Sequence, residues 1–91
     1  MFVVVAYDIV DNGRRTRVAG LLEGYGVRVQ KSVFELDVNG EQLLSVQRRV
    51  MREIAPVEDG VRYYTLCQAD RVKIAIQGIG EVHRNPPFYY V

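Results

Sequence analysis

The sequence predicts an α+β fold in one continuous domain over residues 1–91. Segments of strand character alternate with two segments of helical spacing, and no repeat, linker or low-complexity stretch interrupts them. Apolar residues make up 48% of the chain, enough to form a packed core and too many for a disordered one.

Phe2-Val3-Val4-Val5-Ala6-Tyr7 is apolar at both parities, the mark of a strand buried on both faces. It ends at Asp8, and Asp11-Asn12-Gly13 reads as a turn. A helix is expected from Arg14 to Tyr25, because Val18, Leu21, Leu22 and Tyr25 fall at i, i+3, i+4 and i+7. Gly26 is expected to stop it as a left-handed cap. Val27–Asp37 reads as a second strand, with its apolar phase slipping near Ser32, where a bulge is expected.

Asn39 has the character of a helix N-cap, with Gln42 three residues on. Leu43, Val46, Val50, Met51 and Ile54 line the inner face of that helix, which ends at Ala55 before Pro56. Glu58-Asp59-Gly60 turns into a strand over Val61–Cys67, and a further strand runs from Asp70 to Gln77, alternating Val72, Ile74 and Ile76 against Arg71, Lys73 and Gln77. The order expected is βαββαβ, the ferredoxin-like or split βαβ arrangement. Right-handed crossovers put the first and third strands at the centre and both helices on one face.

One face of the sheet is then uncovered, although the first strand is apolar on both. A second copy of the chain is the expected cover, giving a homodimer through the sheet faces. The tail 81–91 points the same way. Pro86-Pro87 extends the backbone, and Phe88-Tyr89-Tyr90-Val91 is a short β-prone segment expected to form a C-terminal fifth strand on a sheet edge, its own protomer's or the partner's.

Composition narrows the function classes. The single cysteine, Cys67, excludes an internal disulfide and a multi-cysteine zinc site, and its apolar setting reads as a buried small hydrophobe. The only histidine, His83, reads as a surface residue. No signal peptide precedes the first apolar run, which is too short to span a bilayer, so a cytoplasmic protein with no membrane partner is expected. Neither a glycine-rich phosphate loop nor a serine–histidine–aspartate set nor a histidine pair for metal is present. Net charge is only +1, but arginine outnumbers lysine ten to two, and residues 14–31 set Arg14, Arg15, Arg17, Arg28 and Lys31 against Glu23 alone. Arginine is the better bidentate partner for phosphate.

Asp8 is the leading candidate for chemistry. It shares strand parity with Val4 and Ala6, so it closes an apolar row, and a carboxylate there needs a cation or donors. Two readings stay open: a cap for the Asn12-Gly13 turn, or a metal ligand. If uncovered faces pair about a two-fold axis, two Asp8 carboxylates approach and a shared divalent cation relieves their repulsion. Magnesium suits such a site, with water and substrate phosphate filling the remaining positions. Arg14, Arg15 and Arg17 open the first helix against its dipole, which an anionic ligand would offset. Arg28, Gln30 and Ser32 share one parity and are expected to line the same cleft, while Tyr7 points to the opposite face, where it reads as core with a phosphate contact as the alternative. Metal-assisted phosphodiester hydrolysis is the chemistry this residue set permits.

These residues also resemble a known family. Tyr7-Asp8-Ile9, then Asn12 with Arg14, Arg15 and Arg17, then Tyr25-Gly26-x-Arg28-Val29-Gln30-x-Ser32-Val33-Phe34-Glu35, is similar to the CRISPR-associated endoribonuclease family, whose small dimeric members accompany the CRISPR integrase during spacer acquisition. The likeness extends over nearly the whole chain. It implies a ferredoxin-like homodimer holding one Mg2+ between the Asp8 carboxylates, and endonuclease activity on RNA or double-stranded DNA. Arg15, Arg17, Arg28, Ser32 and Phe34 stand at positions that assist in relatives. It also implies an alternative, a non-catalytic DNA-binding scaffold bridging integrase dimers. A small-molecule-sensing regulatory domain is the reading from outside nucleic-acid biology, and it predicts no salt-dependent affinity for polynucleotides.

Overall fold

The computed structural model describes residues 1–67 and 71–79. Seven elements follow one another: β1 (Phe2–Asp8), α1 (Asn12–Glu23), β2 (Gly26–Gln30), β3 (Val33–Asp37), α2 (Gly40–Glu53), β4 (Gly60–Cys67) and β5 (Arg71–Gly78). They form one antiparallel sheet in the order β2-β3-β1-β4-β5. This is the expected ferredoxin-like βαββαβ order with an added edge strand.

The single strand expected over Val27–Asp37 is a hairpin of two strands. The βαββαβ order needs two strands between the helices, and Lys31-Ser32 is where the chain reverses. The phase slip at Ser32 therefore marks a turn, while the actual register shift lies just before it, between Arg28 and Gln30. The described fifth strand is β5, equivalent to the strand expected over Asp70–Gln77. The expected tail strand Phe88–Val91, Pro86-Pro87 and His83 lie outside the described residues.

Local chemistry explains both helices. Asp11 caps α1, its carboxylate accepting from the Arg14 amide. Asn39 caps α2 in a full capping box with Gln42, the two side chains and two amides satisfying each other reciprocally. Each cap satisfies amides that the first helical turn leaves without a partner. Gly26 is not a left-handed cap; it opens β2, where a Cβ would stand 2.1 Å from the Glu35 carbonyl oxygen. That close approach of two backbones, rather than a positive φ, selects glycine there.

The core lies between the sheet and the two helices. Val3, Val5 and Tyr7 of β1, Phe34 and Leu36 of β3, and Val61 and Tyr63 of β4 meet Val18, Ala19 and Leu22 of α1 and Val46 and Val50 of α2. Tyr63 is polar at its tip, and its hydroxyl donates to Gln77 Oε1, whose amide nitrogen in turn donates to the Gln47 carbonyl. Such pairing removes the cost of burying a phenol. Met51, expected on the inner face of α2, is exposed.

No helix among the described residues covers the opposite face. Its row on β1 is Phe2, Val4, Ala6 and Asp8, flanked through the register by Val33 and Glu35 of β3 and by Arg62, Tyr64 and Leu66 of β4. Val72, Ile74 and Ile76 of β5 continue it. Phe2, Leu66, Val72 and Ile74 are exposed there, whereas Tyr64 is buried. The both-parity apolar pattern of β1 thus corresponds to one face packed on helices and one face that no helix among the described residues covers.

Candidate metal and nucleic-acid site

Asp8 is the last residue of β1 to pair in the sheet, standing opposite Gly60. Its side chain belongs to the open face and is exposed. Among the described residues it makes no hydrogen bond and no ion pair. The capping role weighed for it falls to Asp11 instead, whose carboxyl the Arg14 amide holds below the ordinary value. The exposed carboxylate is thus left to solvent at the end of the apolar row Phe2, Val4 and Ala6.

No group of three or more histidine, cysteine, aspartate or glutamate side chains gathers among the described residues. The candidate donor on the open face at this strand end is the Asp8 carboxylate. That fits magnesium, which is commonly held by one or two carboxylates with water and phosphate completing the shell, and does not fit zinc.

The arginines are distributed differently from the expectation. Arg14 turns inward, its Nε donating to Asp59 Oδ2 at 2.8 Å and its Nη2 reaching Glu58 and, at 3.4 Å, Asp59 Oδ1. Arg15 donates from Nη1 to the Ile9 carbonyl at 2.9 Å and from Nη2 to Asn12 Oδ1 at 3.0 Å. Arg17 lies 3.5 Å from Glu53 Oε2, half exposed and a weak surface pair. The anion that three cations at a helix N-terminus call for is thus supplied, for Arg14, by the chain's own acids.

Arg28 sits on the helix-covered face, away from Asp8. It stands opposite Phe34, its guanidinium 5.4 Å from that ring and 3.3 Å from the Tyr7 hydroxyl. The register shift after Arg28 pairs Gln30 with Val33, so the shared parity expected for Arg28 and Gln30 is broken and they face opposite ways. Ser32 is half-buried, and its carbonyl accepts from the Tyr7 amide at 3.1 Å. Phe34 is fully buried and stacks with Tyr7, so neither ring presents a face to an external ligand. Tyr7, Arg28 and Phe34 form one continuous stack whose charged end reaches the surface.

Two residues escape a reading of the sequence alone. Asp59, taken as part of a turn, has no exposed surface and gathers Arg14 with the amides of Val10 and Ala55. Burial pushes its carboxyl up, but the Arg14 guanidinium and the two amides outweigh it and hold the pKa below the ordinary value. The signal was the excess of arginine across the helix start. Arg62 is the other: it stands opposite Ala6 on the open face, diagonal to Asp8, with no hydrogen bond or ion pair among the described residues. Strand parity with Leu66 was its signal.

Fold and site together define a class: a ferredoxin-like domain whose first strand delivers a lone acid to the open face of its sheet. Residues 1–74 match the model of the family described as CRISPR associated protein Cas2. Similar proteins include the CRISPR-associated endoribonuclease Cas2 3 of Chloroflexus aurantiacus, 42% identical over all of this chain and 98% of that protein. Another is the CRISPR-associated endonuclease Cas2 2 of Thermus thermophilus, 38% identical over 84% of this chain and 80% of that one. The crystal structure of Streptococcus pyogenes Cas2 superposes with a TM-score of 0.71 at 34% identity, covering 76% of this chain and 89% of that one. The chain belongs to the CRISPR-associated protein Cas2 family. No helix among its described residues is long and apolar enough to cross a membrane.

Proposed function

We propose that two copies of this chain pair through their open sheet faces and that their Asp8 carboxylates together hold one magnesium ion, at which a phosphodiester bond of RNA or DNA is hydrolysed. The observation that carries the reading is the exposed, unpartnered Asp8 at the end of an apolar row. The names of the relatives, endoribonuclease in one and endonuclease in the other, support phosphodiester hydrolysis as the reaction class. The exposed Phe2, Leu66, Val72 and Ile74 support burial of this face against a second copy.

When bound, magnesium would polarise the phosphoryl oxygen and lower the pKa of a coordinated water. The chain's own contribution is placement and charge. Asp8 offers carboxylate oxygens at a fixed strand end. Arg62, on the same face, supplies a cation to offset charge building on the phosphate. Arg28, seated on Phe34 and Tyr7, offers a positioned guanidinium to the polynucleotide backbone at the sheet edge. The site's biological setting in this reading is CRISPR spacer acquisition beside an integrase subunit in the cytoplasm.

The test is cleavage of end-labelled single-stranded RNA and duplex DNA, with magnesium or with chelator, by wild type and Asp8→Asn. Wild type cleaves only with magnesium, and Asp8→Asn does not cleave while keeping the mass of two chains. Cleavage by Asp8→Asn at the wild-type rate overturns the reading.

A further inference from the structure

Beyond Asp8 the sheet no longer guides the chain, since Asp8 and Gly60 are the last pair between β1 and β4. What fixes the direction of the following residues is a buried carboxylate. Asp59 Oδ1 accepts from the Val10 amide at 3.0 Å, and Oδ2 accepts from the Ala55 amide and from Arg14 Nε, both at 2.8 Å. Its backbone is held equally tightly. The Asp59 amide donates to the Ala55 carbonyl at 2.8 Å, and its own carbonyl accepts from the Ile79 amide at 3.0 Å. Gly78, at φ +81°, lies against that carbonyl so closely that a Cβ would stand 1.9 Å from it. Asp59 therefore ties together the loop after β1, the first turn of α1, the end of α2 and the end of β5, and it is the residue before Gly60, Asp8's partner across the sheet.

Resting on the reading of Asp8 as a metal ligand, we propose that Asp59 and Arg14 act as a positioning clamp that fixes the backbone just after Asp8 and beside its cross-strand partner Gly60, and so sets the affinity of the carboxylate pair for its cation. Arg14 is then a positioning residue rather than a phosphate contact. Its guanidinium is turned toward Asp59 and Glu58, and only a fifth of its side chain is exposed. Arg15 holds the same segment through the Ile9 carbonyl. The inference concerns a group that touches neither metal nor substrate. Its loss is expected to weaken metal affinity beyond what lost stability alone produces.

The experiment measures Mn2+ binding by electron paramagnetic resonance, together with the Mg2+ dependence of RNA cleavage, for wild type, Asp59→Asn, Arg14→Lys, Asn39→Ala and Asp8→Asn. Each protein is assayed at a temperature where circular dichroism shows it folded. Arg14→Lys keeps the charge but loses the two-nitrogen grip, and it decides the matter if Asp59→Asn does not fold. Asn39→Ala removes the cap of α2 without touching the clamp and controls for lost stability alone. Removing groups that orient a metal ligand weakens binding by roughly 10–100-fold, so the clamp variants are expected to bind Mn2+ at least about tenfold more weakly, while Asn39→Ala matches wild type. Clamp variants that bind Mn2+ as wild type does, while Asp8→Asn binds none, overturn the clamp and leave the Asp8 site standing. Wild-type Mn2+ affinity in Asp8→Asn overturns the site itself.

Discussion

Replacing Phe34 by leucine separates a residue that touches nucleic acid from one that only seats another. Phe34 has no exposed surface, its ring centroid lies 6.3 Å from that of Tyr7 at 29°, and the Arg28 guanidinium lies 5.4 Å above it. Leucine retains much of the buried apolar area but gives up the ring pair, about 0.5–1.5 kcal/mol, and the cation–π contact, about 0.5–1 kcal/mol at an exposed edge. The sum is roughly 1–2.5 kcal/mol, and at about 4–8 °C per kcal/mol for a domain of this size the midpoint falls by roughly 4–20 °C. Phe34→Ala adds a cavity and costs roughly 3–5 kcal/mol. The assay is thermal unfolding at one fixed protein concentration, since a dimer's midpoint depends on it, beside RNA binding across a salt series. Phe34→Leu is expected to lower the midpoint while the salt slope changes by no more than about one unit, the contribution of a single phosphate contact at Arg28. An unchanged midpoint with binding abolished would refute a buried, seating role.

Asn39→Ala removes a capping box and is expected to cost about 1 kcal/mol, read as a fall of roughly 4–8 °C in the same unfolding experiment. Asp59→Asn breaks a buried charge pair and is expected to cost roughly 3–5 kcal/mol at neutral pH. Because the folded pKa of Asp59 lies below its ordinary carboxylate value, its ionised form contributes stability above about pH 4, and that contribution is lost as pH falls through the folded value. The gap in midpoint between wild type and Asp59→Asn should therefore narrow below about pH 4; a gap constant from neutral to strongly acid pH would mean the pair is not ionic.

The helices were legible in the sequence because their signals are local. Val18, Leu22, Val46 and Val50 repeat at helical spacing, and Asn39 with Gln42 announces its own cap. The hairpin between β2 and β3 was half legible. The parity change at Ser32 was visible, but a bulge and a turn leave the same trace in a strand pattern, and the Arg28–Gln30 shift adds a second disturbance two residues away. Asp8 could be placed by parity alone, since β1 is regular up to its last pair. Arg14 and Asp59 could not be joined that way. They are 45 positions apart, and only the packing of the loop before β4 under the start of α1 brings them into contact. Local excess charge showed that an anion was needed at the helix start without showing that the chain carries it.

Native mass spectrometry of the protein with Mn2+ addresses the shared carboxylate site most directly, because it weighs chains and metal in one spectrum. Two chains carrying one ion, reduced to two chains with none in Asp8→Asn, is the predicted result. Single chains, or two chains whose metal content is unaffected by Asp8→Asn, would contradict it.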